Sequence, residues 1–160
     1  MIDLLPMSDA HFAWLLGEQA APVAAPRQVE GGIAPPGVYS LIRGIAAGLR
    51  AKTNGDVAWL MVVDGDAVGM ISFTKFSDSG VPEIGYGVAP DRQRQGHATA
   101  AVKTLLHLIQ ATGFTGVVAE NSVDNPASQR VLQSNGFKRV GERIDAEDGP
   151  VVQWAIRWGS

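Results

Sequence analysis

At 160 residues the chain has the size of one ordinary domain, for which folding removes about 70% of the unfolded surface from water, so a single domain spanning residues 1–160 is expected. Its 46% apolar and 18% charged content excludes disorder and fibrous repeats, and 13 basic against 16 acidic side chains, net −3, provide no basic stripe for nucleic acid. The absence of cysteine excludes disulfides, thiolate metal sites and a cysteine-borne acyl intermediate.

Met1–Leu5 reads as an edge strand, and its early acid, without a basic segment and a long apolar core, does not resemble a secretory signal. A cytoplasmic location is expected. Ser8–Gln19 reads as a helix, the Ala/Pro-rich Ala21–Pro36 as a loop, and Val38–Ala51 as a second helix. The apolar stretches near Val38–Leu49 and Leu105–Ile109 are short or broken by Arg43 and Gly44, so no bilayer span is expected. Asp56–Val63 and Ala67–Phe76 flank Asp64-Gly65-Asp66 and read as an antiparallel hairpin, because Asp-Gly tolerates the positive φ of a tight turn. Glu83–Ala89 is a strand closed by Pro90. Ala98, Ala101, Val102, Leu105 and Ile109 recur at helical spacing and predict an amphipathic helix over His97–Thr112, ended at Gly113. Thr115–Ala119 then returns as a strand. Asn125-Pro126 starts and Asn135-Gly136 stops a short helix, and two last strands, Phe137–Ile144 and Val151–Trp158, turn at Glu147-Asp148-Gly149-Pro150. The element order predicts an α/β (α+β) domain with a mixed, mostly antiparallel sheet and flanking helices.

The chemistry concentrates between Glu83 and Ala98, where a strand enters a polar loop and then a helix. The first turn of a helix carries N–H groups without intrahelical acceptors at the positive end of its dipole, which suits a pyrophosphate. Gly96 admits a close anion, and Arg92 and Arg94 add positive charge, so a ligand with several phosphates such as coenzyme A fits. A dinucleotide fingerprint beginning at Gly85-Tyr86-Gly87 fails, because Pro90 stands at the third glycine position. His11, His97 and His107 lack metal-site spacing, so no metal is expected. Trp59, Trp154 and Trp158 read as core or interface aromatics, and Trp14 as a core residue or part of an acceptor pocket.

Gln93-Arg94-Gln95-Gly96-His97-Ala98 resembles the Gln/Arg-x-x-Gly-x-Gly/Ala loop of the GNAT acetyltransferases, and Asn125-x-x-Ser128-x-x-Val131, followed by Gly136-Phe137, resembles their second motif. Glu83-Ile84-Gly85-Tyr86 and Asn-x-x-Ser are similar to the branch of ribosomal-protein N-terminal acetyltransferases. The resemblance covers about Val57–Trp158. It implies two splayed central parallel strands, with acetyl-CoA between them as co-substrate. Val88 and Ala89 would bond the pantetheine, Arg92, Gln93, Arg94, Gln95, Gly96, His97, Ala98 and Thr99 would hold the phosphates, and Asn125 would belong to the same cofactor site. It implies direct acetyl transfer to a primary amine near Glu83 and Tyr86, with Glu83 as base and Glu120 and Glu147 as competitors. Leu132 stands where many relatives carry a tyrosine acid, and Ser128 or water is the implied substitute. The acceptor, a small molecule or a protein N-terminus, is selected by the first two helices, the Ala21–Pro36 loop and the late hairpin. A homodimer is expected. The alternatives are a non-catalytic acyl-CoA sensor or scaffold, and an unrelated phosphate- or nucleotide-binding domain.

Overall fold

The structure, a computed structural model, describes residues 2–158. Among them the chain runs β1 (Ile2–Pro6), α1 (Asp9–Leu15), β2 (Arg27–Gln28), α2 (Pro36–Arg50), β3 (Ala58–Val63), β4 (Asp66–Phe76), β5 (Pro82–Val88), α3 (His97–Gln110), β6 (Gly116–Ser122), α4 (Pro126–Ser134), β7 (Lys138–Asp145) and β8 (Gly149–Arg157). The β3–β4 turn forms as its residues dictate, with Asp64 and Gly65 at φ 50° and 82°. The inward stripe of α3, from Ala101 and Val102 to Leu105 and Ile109, is buried.

Two expected elements differ. The first helix stops at Leu15, because Gly17 takes φ 76° and Glu18 N–H turns back to the Ala13 carbonyl. The Ala/Pro segment is not wholly a loop: β2 runs parallel to the start of β4, and the Arg27 guanidinium holds Asp66 at 2.8 Å and the Asp64 carbonyl at 2.7 Å.

The sheet order is β1-β3-β4-β5-β6-β8-β7, antiparallel along this path except at β5–β6. That parallel pair is in register only at Glu83↔Val118 and Ile84↔Ala119. Beyond it β5 continues to Val88 beside β4, while β6 continues to Ser122 beside β8. Each strand follows its own neighbour, and the sheet opens between them. Side chains alternate across a strand, so Gly85 and Gly87 face α2 while Tyr86 faces the side of α3 and α4. Trp59 and Trp154 are core residues, and Trp158 packs against the core with its indole N–H on the Phe114 carbonyl. None of the helices among the described residues is long and apolar enough to cross a membrane.

Candidate active site

The opening in the sheet creates an unpaired strand edge in the interior. Ala89 N–H donates to the Val68 carbonyl on β4, which sets the alternation of the ladder and turns the peptide groups of Tyr86 and Val88 toward the gap. An extended ligand with amide groups can bond such an edge as a strand would. Of the two backbone positions expected to do so, Val88 faces the gap, with its carbonyl already accepting from the Gln93 amide at 3.1 Å. Ala89 does not: its N–H is engaged with β4 and its carbonyl accepts from Arg92 N–H.

Above the gap, Pro90–Arg92 form one 3₁₀ turn and Gly96 caps α3 at φ 81°. The first helical bond runs from Ala100 N–H to the Gly96 carbonyl, so the N–H groups of His97, Ala98 and Thr99 precede the ladder without helical acceptors. Arg94 is exposed with φ 65°, and the His97 ring meets the Gln95 amide oxygen at 3.1 Å, which ties the loop to the helix start. Arg92 is already paired, its guanidinium 3.1 Å from Asp66, whose carboxyl is held below its usual range by that hydrogen bond first and by Arg27 next. Positive charge at the loop therefore falls mainly to Arg94 and the helix dipole.

At the lower end of the gap, Glu83 is shaped by a one-residue bulge. Phe73 pairs with Ile84 and Lys75 with Glu83, leaving Thr74 as the extra residue in β4. Such a bulge re-aims side chains. The Thr74 hydroxyl donates to the Glu83 carboxylate at 2.7 Å, and the ammonium of the exposed Lys75 stands 4.0 Å away. Thr74 also lines a cavity of about 170 Å³ between α2 and the sheet, together with Ile42, Ile45, Met70, Ser72 and Gly85. On the next strand and the same face, Glu120 receives both the Nε and Nη2 of Arg143 at 2.7 Å and the Gln153 amide at 3.2 Å. The Arg143 hydrogen bonds hold its carboxyl below the ordinary range. Glu147 lies in the exposed β7–β8 turn, its N–H on Asp145.

On the other face, Tyr86 spans the gap from β5 to α4. Its hydroxyl donates to the Ser128 carbonyl at 3.1 Å and meets the Ser128 hydroxyl at 3.0 Å. The Asn121 amide donates to that same Ser128 hydroxyl at 3.2 Å, and Trp154 N–H fixes the Asn121 oxygen at 3.0 Å. With the Tyr86 proton on the carbonyl and the Asn121 amide donating, the Ser128 proton points at Tyr86. Burial raises the Tyr86 phenol above its usual range, partly offset by Ser128, so it is protonated at neutral pH. Asn125 caps α4, its side-chain oxygen accepting from Ser128 N–H at 3.1 Å. Leu132 is fully buried in the core and carries no group that could give a proton.

The structure thus brings Glu83, Tyr86 and Val88 to one strand beside the gap, with Ser128 opposite, and sets Glu120, Glu147 and Arg92 in other partnerships. Thr74 and Asn121 were missed. Asn121 had a signal: Val117, Ala119 and Asn121 alternate inward, so a polar side chain falls on the core face. Trp14 packs against the core and does not line the cavity. No group of three or more His, Asp or Glu side chains among the described residues converges as metal ligands would.

A mixed sheet opened at its central parallel pair, beneath a glycine-capped helix start, forms a cleft for an extended ligand with an anionic end. The chain belongs to the GNAT acetyltransferases: the model of the acetyltransferase (GNAT) domain matches residues 7–138. Among solved structures it is similar to RimL, the ribosomal L7/L12 α-N-protein acetyltransferase in complex with coenzyme A, at 19% identity and TM-score 0.71, over 98% of this chain and 93% of that one. It is similar to Mycobacterium smegmatis RimJ in complex with CoA-disulfide, at 23% identity and TM-score 0.68, over 98% and 81%. The aminoglycoside acetyltransferase AAC(6')-Ib with coenzyme A matches at 18% identity and TM-score 0.68, over 98% and 95%. At these identities the likeness concerns the fold. None of the curated proteins matches the chain in sequence. The chain is an acetyl-CoA-dependent N-acetyltransferase by family, and transfers the acetyl group to an amine.

Proposed function

We propose that acetyl-CoA lies in the β5–β6 gap, its pyrophosphate on the free N–H groups of His97, Ala98 and Thr99 and the pantetheine along Tyr86 and Val88, and that Glu83 takes the proton of the acceptor amine. The observation that carries the reading is the contrast between the two carboxylates on this face. Glu120 is neutralised by a bidentate arginine, whereas Glu83 has a threonine hydroxyl and a single exposed lysine at 4.0 Å. A guanidinium grip stabilises the ionised form of a carboxyl, so Glu120 is the poorer candidate for proton removal. The ammonium form of the acceptor gives one proton to Glu83, and the neutral amine attacks the thioester carbonyl. As the tetrahedral intermediate collapses, the nitrogen loses its second proton to water, the C–S bond breaks, and the thiolate takes a proton from the Ser128–Tyr86 pair, which water restores. Arg94, Gln95 and Gly96 shape the phosphate end, and Asn125 acts through the position of Ser128.

Release of free CoA from acetyl-CoA, measured against a panel of small amines and peptide N-termini, tests this reading. Amine-dependent release is expected. Binding of CoA without release, over the whole panel, would instead support a sensor or scaffold. A cytoplasmic homodimer completes the proposal, with light scattering as the check on its oligomeric part.

A further inference from the structure

The cavity beside Glu83 exists because β5 places glycines at two successive positions facing α2. Gly85 and Gly87 lie opposite Ser72 and Met70, and α2 borders the space with Ile42, Ile45 and the exposed Val38. A Cβ at Gly87 would meet nothing within 4 Å, so the space reaches the β5 backbone itself. The wall from the preceding loop is fixed, because the buried Tyr39 hydroxyl accepts the N–H of Ile33 at 2.9 Å. No charged side chain lines the cavity. Its polar residues are Thr74, whose hydroxyl is turned to Glu83, Ser72, which is 3% exposed, and Tyr86, whose hydroxyl is held by Ser128.

Thr74 touches both the cavity and the Glu83 carboxylate, so an uncharged, apolar space adjoins the place of an amine brought to Glu83. A second ammonium there would lose its water with no carboxylate to replace it. We infer that the acceptor is a primary monoamine bearing a compact apolar group next to the amine, as an apolar N-terminal residue does, and not a polycationic amine. This rests on the assignment of Glu83 as base.

With acetyl-CoA as donor, kcat/KM is compared for glycine amide, leucine amide and spermidine. Leucine amide is expected to exceed glycine amide by at least about tenfold, the discrimination an apolar pocket gives for a few methylenes, with spermidine lowest. Gly87→Val, whose side chain enters open space, should erase the leucine advantage while acetyl-CoA affinity holds. Ile42→Trp closes the same cavity from α2 and serves should the first variant not fold. Equal kcat/KM for the three amines overturns the proposal, and so does a preference for spermidine. A butyryl-CoA rate above that of acetyl-CoA, lost in Gly87→Val, also overturns it by giving the cavity to the acyl chain. If none of the amines turns over, calorimetry of leucine amide on the CoA complex decides, and lack of binding at millimolar concentration counts against it. Glu83→Gln separates the two readings: unchanged turnover sinks the base assignment, yet leaves the leucine preference of the parent enzyme to be read on its own.

Discussion

The two strands that line the gap carry carboxylates on the same face, shielded to nearly the same degree: the Glu83 side chain is 15% exposed and that of Glu120 is 18% exposed. Their partners separate them. β6 is backed by β8, which brings Gln153 opposite Glu120, and β7 supplies Arg143 with a bidentate grip. β5 is backed by β4, whose bulge supplies the Thr74 hydroxyl and, at 4.0 Å, the exposed ammonium of Lys75 rather than a bidentate grip. Burial alone therefore does not distinguish a base from an anchor. The charge supplied by the neighbouring strand does, because a guanidinium stabilises the ionised form that a base must give up.

The most forceful way to break this comparison is to neutralise each carboxylate in turn. Glu83→Gln should lower kcat by about two to four orders of magnitude with acetyl-CoA affinity nearly unchanged, the effect of losing a positioned base. Glu120→Gln should leave kcat within roughly fivefold, since Glu120 binds no reacting atom in this scheme. Steady-state kinetics with calorimetric CoA binding checks both, and a reversed ranking exchanges their roles.

The acid side is the next largest effect. Ser128→Ala and Tyr86→Phe should each slow turnover roughly ten- to hundredfold, at the low end for a positioned acid because water can reach a thiolate. If the two hydroxyls act as one unit, the double variant is no slower than the worse single variant. Additive losses would mean that they act separately, and the assignment of the proton path through both would fall.

At the upper end of the β5 edge, Gly96→Val should weaken acetyl-CoA binding by about tenfold or more. Its φ of 81° is costly for a branched residue, and the side chain obstructs the anion approach. Gly96→Asn, which tolerates that φ better, should lose less, so calorimetry on the pair separates backbone strain from obstruction. Equal affinity for parent and valine variant would move the phosphates elsewhere.

What was legible in the amino-acid order was local. The Asp64-Gly65 turn, the α3 stripe and the Gly96 loop follow from neighbouring residues. So does the Asn125 cap. The site's specificity was not local: the Tyr86–Ser128 contact joins residues 42 apart, and Asn121 to Trp154 joins residues 33 apart. The Arg92–Asp66 pair has the same character: the loop reveals an arginine but not the carboxylate that holds it. Thr74 was invisible because a bulge is a register shift between two strands, and alternation within one strand does not reveal it. The gap itself was expected from family resemblance, while its cause, two strands each held by its outer neighbour, needs the pairing of four.

The smallest effect bears on the β6 side. Arg143 lowers the Glu120 pKa below 4.5, so Glu120 binds protons more readily unfolded than folded. A depressed folded value contributes stability that is complete above the unfolded pKa and is lost as pH falls through the folded one. Arg143→Met should therefore lower Tm slightly near neutral pH, as the loss of a partly exposed ion pair does. The gap between parent and variant should narrow as pH falls from the ordinary carboxylate range through the depressed folded pKa of Glu120, and close where Glu120 is protonated in parent and variant alike. Asp145 also meets Arg143, but its own lowering comes first from the N–H groups of Asp148 and Glu147, which the substitution leaves in place. The convergence at low pH is therefore a readout of Glu120. Melting curves across the acid range decide it: a Tm difference independent of pH would show that Arg143 contributes packing rather than charge, and Glu120 would no longer be the neutralised counterpart of Glu83.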